Sequence, residues 1–466
     1  MNKKLFDVLP TRRELLRLGG YGLLGSFADH AMFTPSVRAA GKTNVRGTAR
    51  FVVVIELAGA ISHLDTFDFK ESAGTPKDLD VRPVRNDLYL SQRLFPELSK
   101  EVDRIAIVRS MWSHEVVHFR GQYYSQAGRP LNPGIAAEIP SVGSVIAHEL
   151  ESQRRESDTF PTYIGCNLDT AGCGALSTGF LHPRHSVVDI NFRGGLGGTN
   201  VDGEAAQLLD ERYRLLSELD KATAGSRQGR DRSMGAFRDF QNSAYRVLGD
   251  ARWPRAFQMP AADKSRYGDN EVGLGCLLAR NLIAADAGTR YIHITHPDWD
   301  HHGKIFTHEA KSNHYVRCNE FDRAMANLLR DLSATPSPRR AGQTLLDETL
   351  VVMATEFGRT PGPLNGLAGR HHYNRCYLSL YAGAGVKGGR ILGRTDADGA
   401  TVVETGWKYK KLQPKTENLY ATVYSALGID WRKEIVNTPS KRAYRYVDIL
   451  GATEFAIDDE IADLFA

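Results

Sequence analysis

Four short segments concentrate the side chains that could do chemistry. They are Ser62-His63-Leu64-Asp65-Thr66-Phe67-Asp68; the trio His114, Glu115 and His118; His296-Pro297-Asp298-Trp299-Asp300-His301-His302-Gly303; and Glu356-Phe357-Gly358-Arg359-Thr360-Pro361 with Gly369-Arg370-His371-His372-Tyr373. Imidazole and carboxylate are the mixed ligands that borderline metals such as zinc, manganese or iron accept. The same residues also build hydrogen-bonded loops, so Asp298 to His302 reads equally as a metal site or as a turn network. Arg359 and Arg370 each follow a glycine. Guanidinium forks bind phosphate, sulfate or carboxylate, and they equally cap a carboxylate such as Glu356 or Asp300 to fix a loop. Ser62 is open between a nucleophile and a turn hydroxyl bonded to its own backbone.

Each segment follows a candidate strand. Phe51-Val52-Val53-Val54-Ile55 is an apolar, β-branched run that ends at Ala58-Gly59-Ala60. Ile105 to Val108, Tyr291 to Ile294, Thr349 to Met353 and Tyr377 to Tyr381 repeat the pattern. Runs of this kind read as buried central strands. Between them, Leu274, Leu278 and Leu282 line a helical face before Gly288, and Phe321, Met325, Leu328, Leu329 and Leu332 form a second stripe. Strands separated by amphipathic helices predict an α/β fold with a largely parallel sheet covered by helices on both faces. In such a sheet ligands bind beyond the carboxyl ends of the strands. The topology would therefore bring the four segments to one rim. Residues 200 to 270 are charged and helical in pattern, with Leu208, Leu209, Tyr213, Leu215, Leu216 and Leu219 on the first stretch, which predicts a helical insertion with no strand.

The amino terminus predicts an address. Thr11-Arg12-Arg13-Glu14-Leu15-Leu16-Arg17 precedes a short apolar stretch from Leu18 to Met32, and Val37-Arg38-Ala39-Ala40 supplies small residues for cleavage after Ala39. This is the pattern of a twin-arginine signal peptide over residues 1–39, implying export to the periplasm or beyond with the twin-arginine translocase as a transient partner. The stretch is too short and polar for a stable membrane anchor. Cleavage lowers the formal net charge from +4 to +1 and leaves about 427 residues in a single domain, 40–466. No basic run with interleaved aromatics appears, which argues against a nucleic-acid partner. Five scattered cysteines exclude a disulfide scaffold. Cys166 and Cys173 are close enough to pair in an oxidising compartment, the alternative being that all five are small buried hydrophobes.

At these motifs the sequence resembles a bacterial family, the domain of unknown function 1501, whose members look like relatives of the alkaline phosphatase and sulfatase superfamily. The resemblance rests on Ser62 to Asp68, on Trp299 to Gly303, on Glu356 to Pro361 with Gly369 to His372, and on Gly385-Val386-Lys387-Gly388-Gly389. It runs in order from the leader, also common in that family, to about residue 430. It implies an alkaline phosphatase-like fold with Asp and His ligands at strand ends. A bound divalent metal (zinc, manganese, calcium or iron) would act on a phosphate or sulfate ester, with an anionic small molecule or glycan as substrate. By position, Asp65, Asp300, His302, Glu356 and His372 become metal ligands, Ser62, His63 and His118 catalytic groups, and Arg359 and Arg370 substrate-binding groups.

Three departures qualify the resemblance. No acidic ligand directly follows the first strand, where Ala58-Gly59-Ala60 stands. Glu356-Phe357 occupies the place where relatives carry Asp-His. No Cys/Ser-x-Pro-x-Arg motif occurs, which argues against a standard sulfatase. These changes motivate the alternative of a non-catalytic periplasmic binding or assembly protein on a degenerate hydrolase fold, since fold alone does not imply activity.

Overall fold

Along strand β1 (Phe51–Leu57) the side chains alternate between two buried layers. Phe51, Val53, Ile55 and Leu57 join one apolar cluster, while Val52 and Val54 join another. That period of two is what a pleated strand buried on both faces requires. The computed structural model describes Val37, Arg38 and residues 43–466, except 86, 171, 173, 193–206, 209, 217, 219–231, 309–312 and 449–456. The twin-arginine motif and Cys173 lie outside the described residues.

The central sheet continues through β2 (Ile105–Met111), β3 (Tyr163–Cys166), β4 (Val188–Ile190), β5 (Tyr291–His296), β6 (Thr349–Ala354), β7 (Tyr377–Ala382) and β8 (Arg390–Leu392). Its order is β8-β2-β7-β6-β1-β5-β3-β4. Strand β1 lies between β6 and β5 and is parallel to both, with Val53 opposite Val351 and Ile292. Only β7 runs against the rest, antiparallel to both β6 and β2. All five expected strands are present, and the largely parallel α/β sheet is as the sequence implied.

The helices are α1 (His118–Ala127), α2 (Val142–Leu150), α3 (Arg232–Leu248), α4 (Glu271–Ala285), α5 (His314–Ala334) and α6 (Thr416–Ala426), with shorter turns between them. Leu278 and Leu282 of α4 and Phe321, Met325 and Leu329 of α5 pack with Val53 and Ile55 on one face. Val145 and Ile146 of α2 and Leu419 and Val423 of α6 pack with Val52 and Val54 on the other. Asn270 caps α4 by accepting the Gly273 N–H at 2.9 Å. The helix ends at Asp286, which takes the left-handed conformation at φ 42°, two residues before the glycine expected to stop it. Between 232 and 267 lie α3 and two short helices, Arg252–Ala256 and Ala261–Tyr267. Among the described residues no helix is long and apolar enough to cross a membrane.

Candidate metal centre

Three segments meet beyond the carboxyl ends of β5 and β6. The loop after β5 is tied to the turn after β1 by the Trp299 N–H, which donates to the Ala58 carbonyl at 3.1 Å. Gly59 sits in that turn at φ 106°, and a Cβ there would stand 2.6 Å from the Asp300 amide nitrogen. Only glycine permits this approach, and it presents Asp300 and His302 to the rim. After β6 the chain forms a short antiparallel pair, Gly358–Arg359 with His372–Tyr373, in which Arg359 stands opposite His372. The third segment is the start of α1, whose first residue is His118.

One ligand atom from each of His118, Asp300, His302 and His372 lies within 4.8 Å of the other three. Asp300 Oδ1 is the hub. It lies 3.1 Å from His118 Nε2, 3.1 Å from His302 Nε2 and 3.6 Å from His372 Nε2. His302 Nε2 and His372 Nε2 are themselves 2.9 Å apart. Phe357 packs beneath, its ring centroid 5.1 Å from that of His118 and 4.9 Å from that of His372.

The surrounding acceptors fix the imidazole tautomers. His118 Nδ1 faces Glu356 Oε2 at 2.8 Å, and His372 Nδ1 faces the Val116 carbonyl at 2.6 Å. Carboxylate and carbonyl oxygens only accept, so both Nδ1 atoms carry a proton, which leaves Nε2 as the nitrogen of each ring that can bind a metal once it gives up any proton it shares with Asp300. His118 Nε2 is buried and faces Asp300 Oδ1 at 3.1 Å. Glu356 is held in turn by the Gly59 N–H at 2.8 Å and by Gln122 Nε2 at 3.0 Å, both on Oε1. A carboxylate behind a histidine whose other nitrogen points into the cluster is the arrangement that orients metal ligands. Three imidazoles and one carboxylate suit a borderline divalent ion.

Burial alone would depress the His118 pKa, but Asp300 and Glu356 outweigh it and lift it to about 9. Burial would raise the Asp300 carboxyl, yet His118, His372 and Arg359 hold it well below the usual carboxylate range. Burial and neighbouring positive charges lower His302. The positive charge favoured beside Asp300 is thus the His118 imidazolium, whose Nε2 proton a metal would have to displace.

The sequence-derived residues divide into two groups. Asp300, His302 and His372 meet as expected of ligands, and His118 joins them as a fourth. Glu356 stands one layer behind, bonded to His118. Asp65 is elsewhere: it accepts Arg370 Nε at 2.6 Å and the Ser62 hydroxyl at 2.5 Å, and it is not among the four converging ligands. His63 is buried, with Nε2 at 2.8 Å from the Gly399 carbonyl. Arg370 is fully buried and also donates to the carbonyls of Thr360 and Gly362. Arg359 donates to Asp300 Oδ1 at 2.6 Å and to the carbonyls of Gly59, Ala60 and Arg370. Both guanidinium groups thus make the loop-fixing contacts that were the alternative to substrate binding. The supporting roles of Gly59 and Gln122 had no sequence signal, because each depends on a contact with Glu356 across more than 200 residues.

No curated protein matches the chain. Among solved structures it is similar to a protein in the alkaline phosphatase superfamily from Vibrio parahaemolyticus, with 12% identity over 88% of this chain and 74% of that one and a TM-score of 0.36. It is similar to a phosphonate monoester hydrolase from Silicibacter pomeroyi, with 11% identity, coverage of 88% and 78%, and a TM-score of 0.38. The C-terminal periplasmic domain of EcEptC from Escherichia coli, in complex with zinc, matches at 11% identity over 84% and 85% with a TM-score of 0.33. Residues 49–453 match the family described as Protein of unknown function (DUF1501), and the chain belongs to that family.

Proposed function

We propose that this protein is an exported, metal-dependent hydrolase of phosphate or sulfate esters. One observation carries the reading: three Nε2 atoms and Asp300 Oδ1 converge, with the Nδ1 protons of His118 and His372 held from behind. His118, Asp300, His302 and His372 would hold the ion. When bound, a divalent metal supplies Lewis acidity and neutralises an anionic ester. Glu356 and the Val116 carbonyl keep the imidazoles in the ligating tautomer. The side chains of Asp300 and His302 are 42% and 40% exposed, so the cluster opens to solvent on one side, as a catalytic centre needs and a structural one does not. In this reading Ser62, Asp65, Arg359 and Arg370 shape the loops and His63 stays behind them. The chain from residue 40 is one alkaline phosphatase-like domain with its helical insertion at about 200–270, and the substrate is an anionic small molecule or glycan.

Metal analysis of protein purified without chelator tests this, with Asp300→Ala and His302→Ala and a panel of phosphate and sulfate mono- and diesters. Near-stoichiometric metal, lost in both variants together with turnover, is the expected result. Metal absent from the wild type, or fully retained in both variants, refutes the assignment. The second reading, a non-catalytic binding or assembly protein, is favoured by the Ser62 hydroxyl being spent on Asp65. Metal binding and glycan capture without turnover of any ester would select it. The leader motif supports export by the twin-arginine route, with Ala40 as the expected mature amino terminus.

A further inference from the structure

At the opposite end of the sheet, the amino ends of the strands surround a cavity of about 360 Å³. Arg50 immediately precedes β1, Thr162 precedes β3 and Arg290 precedes β5, and all three line it. The walls carry six arginines, Arg50, Arg154, Arg155, Arg290, Arg339 and Arg340, against a single lining carboxylate, Asp158.

Asp286 and Glu348, just outside the wall, bring the compensating charge to three carboxylates. Arg50 bonds Glu348 and Asp286, each at 2.6 Å. Arg155 and Arg290 share Asp158 and Asp286, and Arg339 Nε reaches Asp286 at 2.7 Å. Arg154 is fixed on the carbonyls of Asp158 and Phe160 rather than on a carboxylate. Arg340 has no carboxylate partner among the described residues, and its Nη1 donates to the Thr48 carbonyl at 3.1 Å. Glu151 adds a fourth carboxylate within electrostatic reach of Arg154, so the six guanidinium charges exceed these carboxylates by two. Among the described residues, both terminal nitrogens of Arg339 and Nη2 of Arg340 have no acceptor.

We propose that this cavity is a binding site for a compact polyanion carrying at least two phosphate or sulfate groups. Guanidinium forks bind such oxyanions bidentately. Arg50 and Arg290 are only 17% and 16% exposed, so their charge is poorly screened by water. No aromatic ring lines the cavity, so nothing there stacks on a base, and the charge itself carries recognition. The volume falls in the range of small-ligand sites. Because it sits at the other end of the strands, this site does not depend on the metal reading.

Calorimetric titration of the full protein with inorganic pyrophosphate tests it, using Arg339→Gln/Arg340→Gln as the perturbed form and His302→Ala as the control. Both arginines lie toward the surface and their partners are few, so the double variant keeps the buried ion pairs of Arg50, Arg155 and Arg290. Saturable binding is expected, at least tenfold weaker in the double variant and unchanged in His302→Ala. Should the double variant fold poorly, each single variant is expected to weaken binding severalfold. No saturable binding at millimolar pyrophosphate, or equal affinity in the arginine variants, overturns the proposal. Binding lost in His302→Ala also overturns it, by placing the anion at the metal centre.

Discussion

Replacing Glu356 by glutamine tests the metal centre at its most specific point. Glu356 Oε1 accepts two donors, the Gly59 N–H and Gln122 Nε2, while Oε2 faces His118 Nδ1. In Glu356→Gln the amide oxygen must stay on the first two donors, because turning it would set an NH₂ group against both. The new NH₂ group then faces His118 Nδ1 and forces the proton onto Nε2. The ring would then present an N–H where a ligand needs a lone pair. Loss of such a supporting carboxylate costs about 10–100-fold in metal affinity, which is about 1.4–2.8 kcal/mol. The side chain is isosteric and buried, so the fold should persist. Competition against a chromophoric chelator measures the affinity, and circular dichroism checks the fold. Wild-type affinity in a folded Glu356→Gln protein would refute the tautomer argument.

Acidity provides an independent check on the same histidine. The His118 pKa is raised from 6.5 to about 9, so in metal-free protein its imidazolium contribution is full below pH 6.5 and is lost as pH rises through 9. Metal-free melting temperature should lose that contribution across this window, and Glu356→Gln should flatten the loss; an unchanged slope in the variant counts against it. Metal must displace the same proton, so affinity should rise with pH up to about 9, as chelator competition at several pH values would show. Arg359→Met removes the donor to the Gly59, Ala60 and Arg370 carbonyls. Because water can reach Asp300, the cost is mainly that of the orphaned carbonyls, about 1–3 kcal/mol, measurable by urea unfolding. Gly121→Ala would put a Cβ 2.9 Å from Glu356 Cβ and Oε2. Overpacking there costs about 1–3 kcal/mol and pushes α1, with His118, off its carboxylate, so metal content and stability should fall together.

The scaffold was legible where burial leaves a repeated mark on sequence. β1, β2, β5, β6 and β7 are strand-length runs dominated by apolar residues, and α4 and α5 show helical stripes, so their existence could be read directly. β3, β4 and β8 have four, three and three residues. They include Gly165, Asp189 and Arg390, too little pattern to distinguish from loop. Helix α1 escaped for the opposite reason: Gly121 to Ala127 are all buried, so no polar stripe alternates with an apolar one. The site was legible in its residue types, since Asp300, His302 and His372 do meet. What sequence could not supply was the direction of each ring nitrogen. That direction separates Glu356, which serves through His118, from Asp65, which serves Arg370. It also reveals that the glycine-containing turn lacking an acidic ligand gives its backbone instead, with the Gly59 N–H on Glu356 and the Ala58 carbonyl on the loop that carries Asp300 and His302.

Strands β6 and β7 are neighbours in the sheet and antiparallel. The chain between them, 355–376, leaves the sheet and returns beside its point of departure, carrying Glu356, Phe357, Arg359, Arg370 and His372. No crossover helix depends on its length, because antiparallel neighbours need none. That excursion can be lengthened, shortened or rewritten while both anchoring strands keep their register. Site and scaffold are therefore separately variable here: exchanging one loop would change one of the four candidate ligands, the support behind another and the guanidinium that fixes a third, with the remaining strands left as they are.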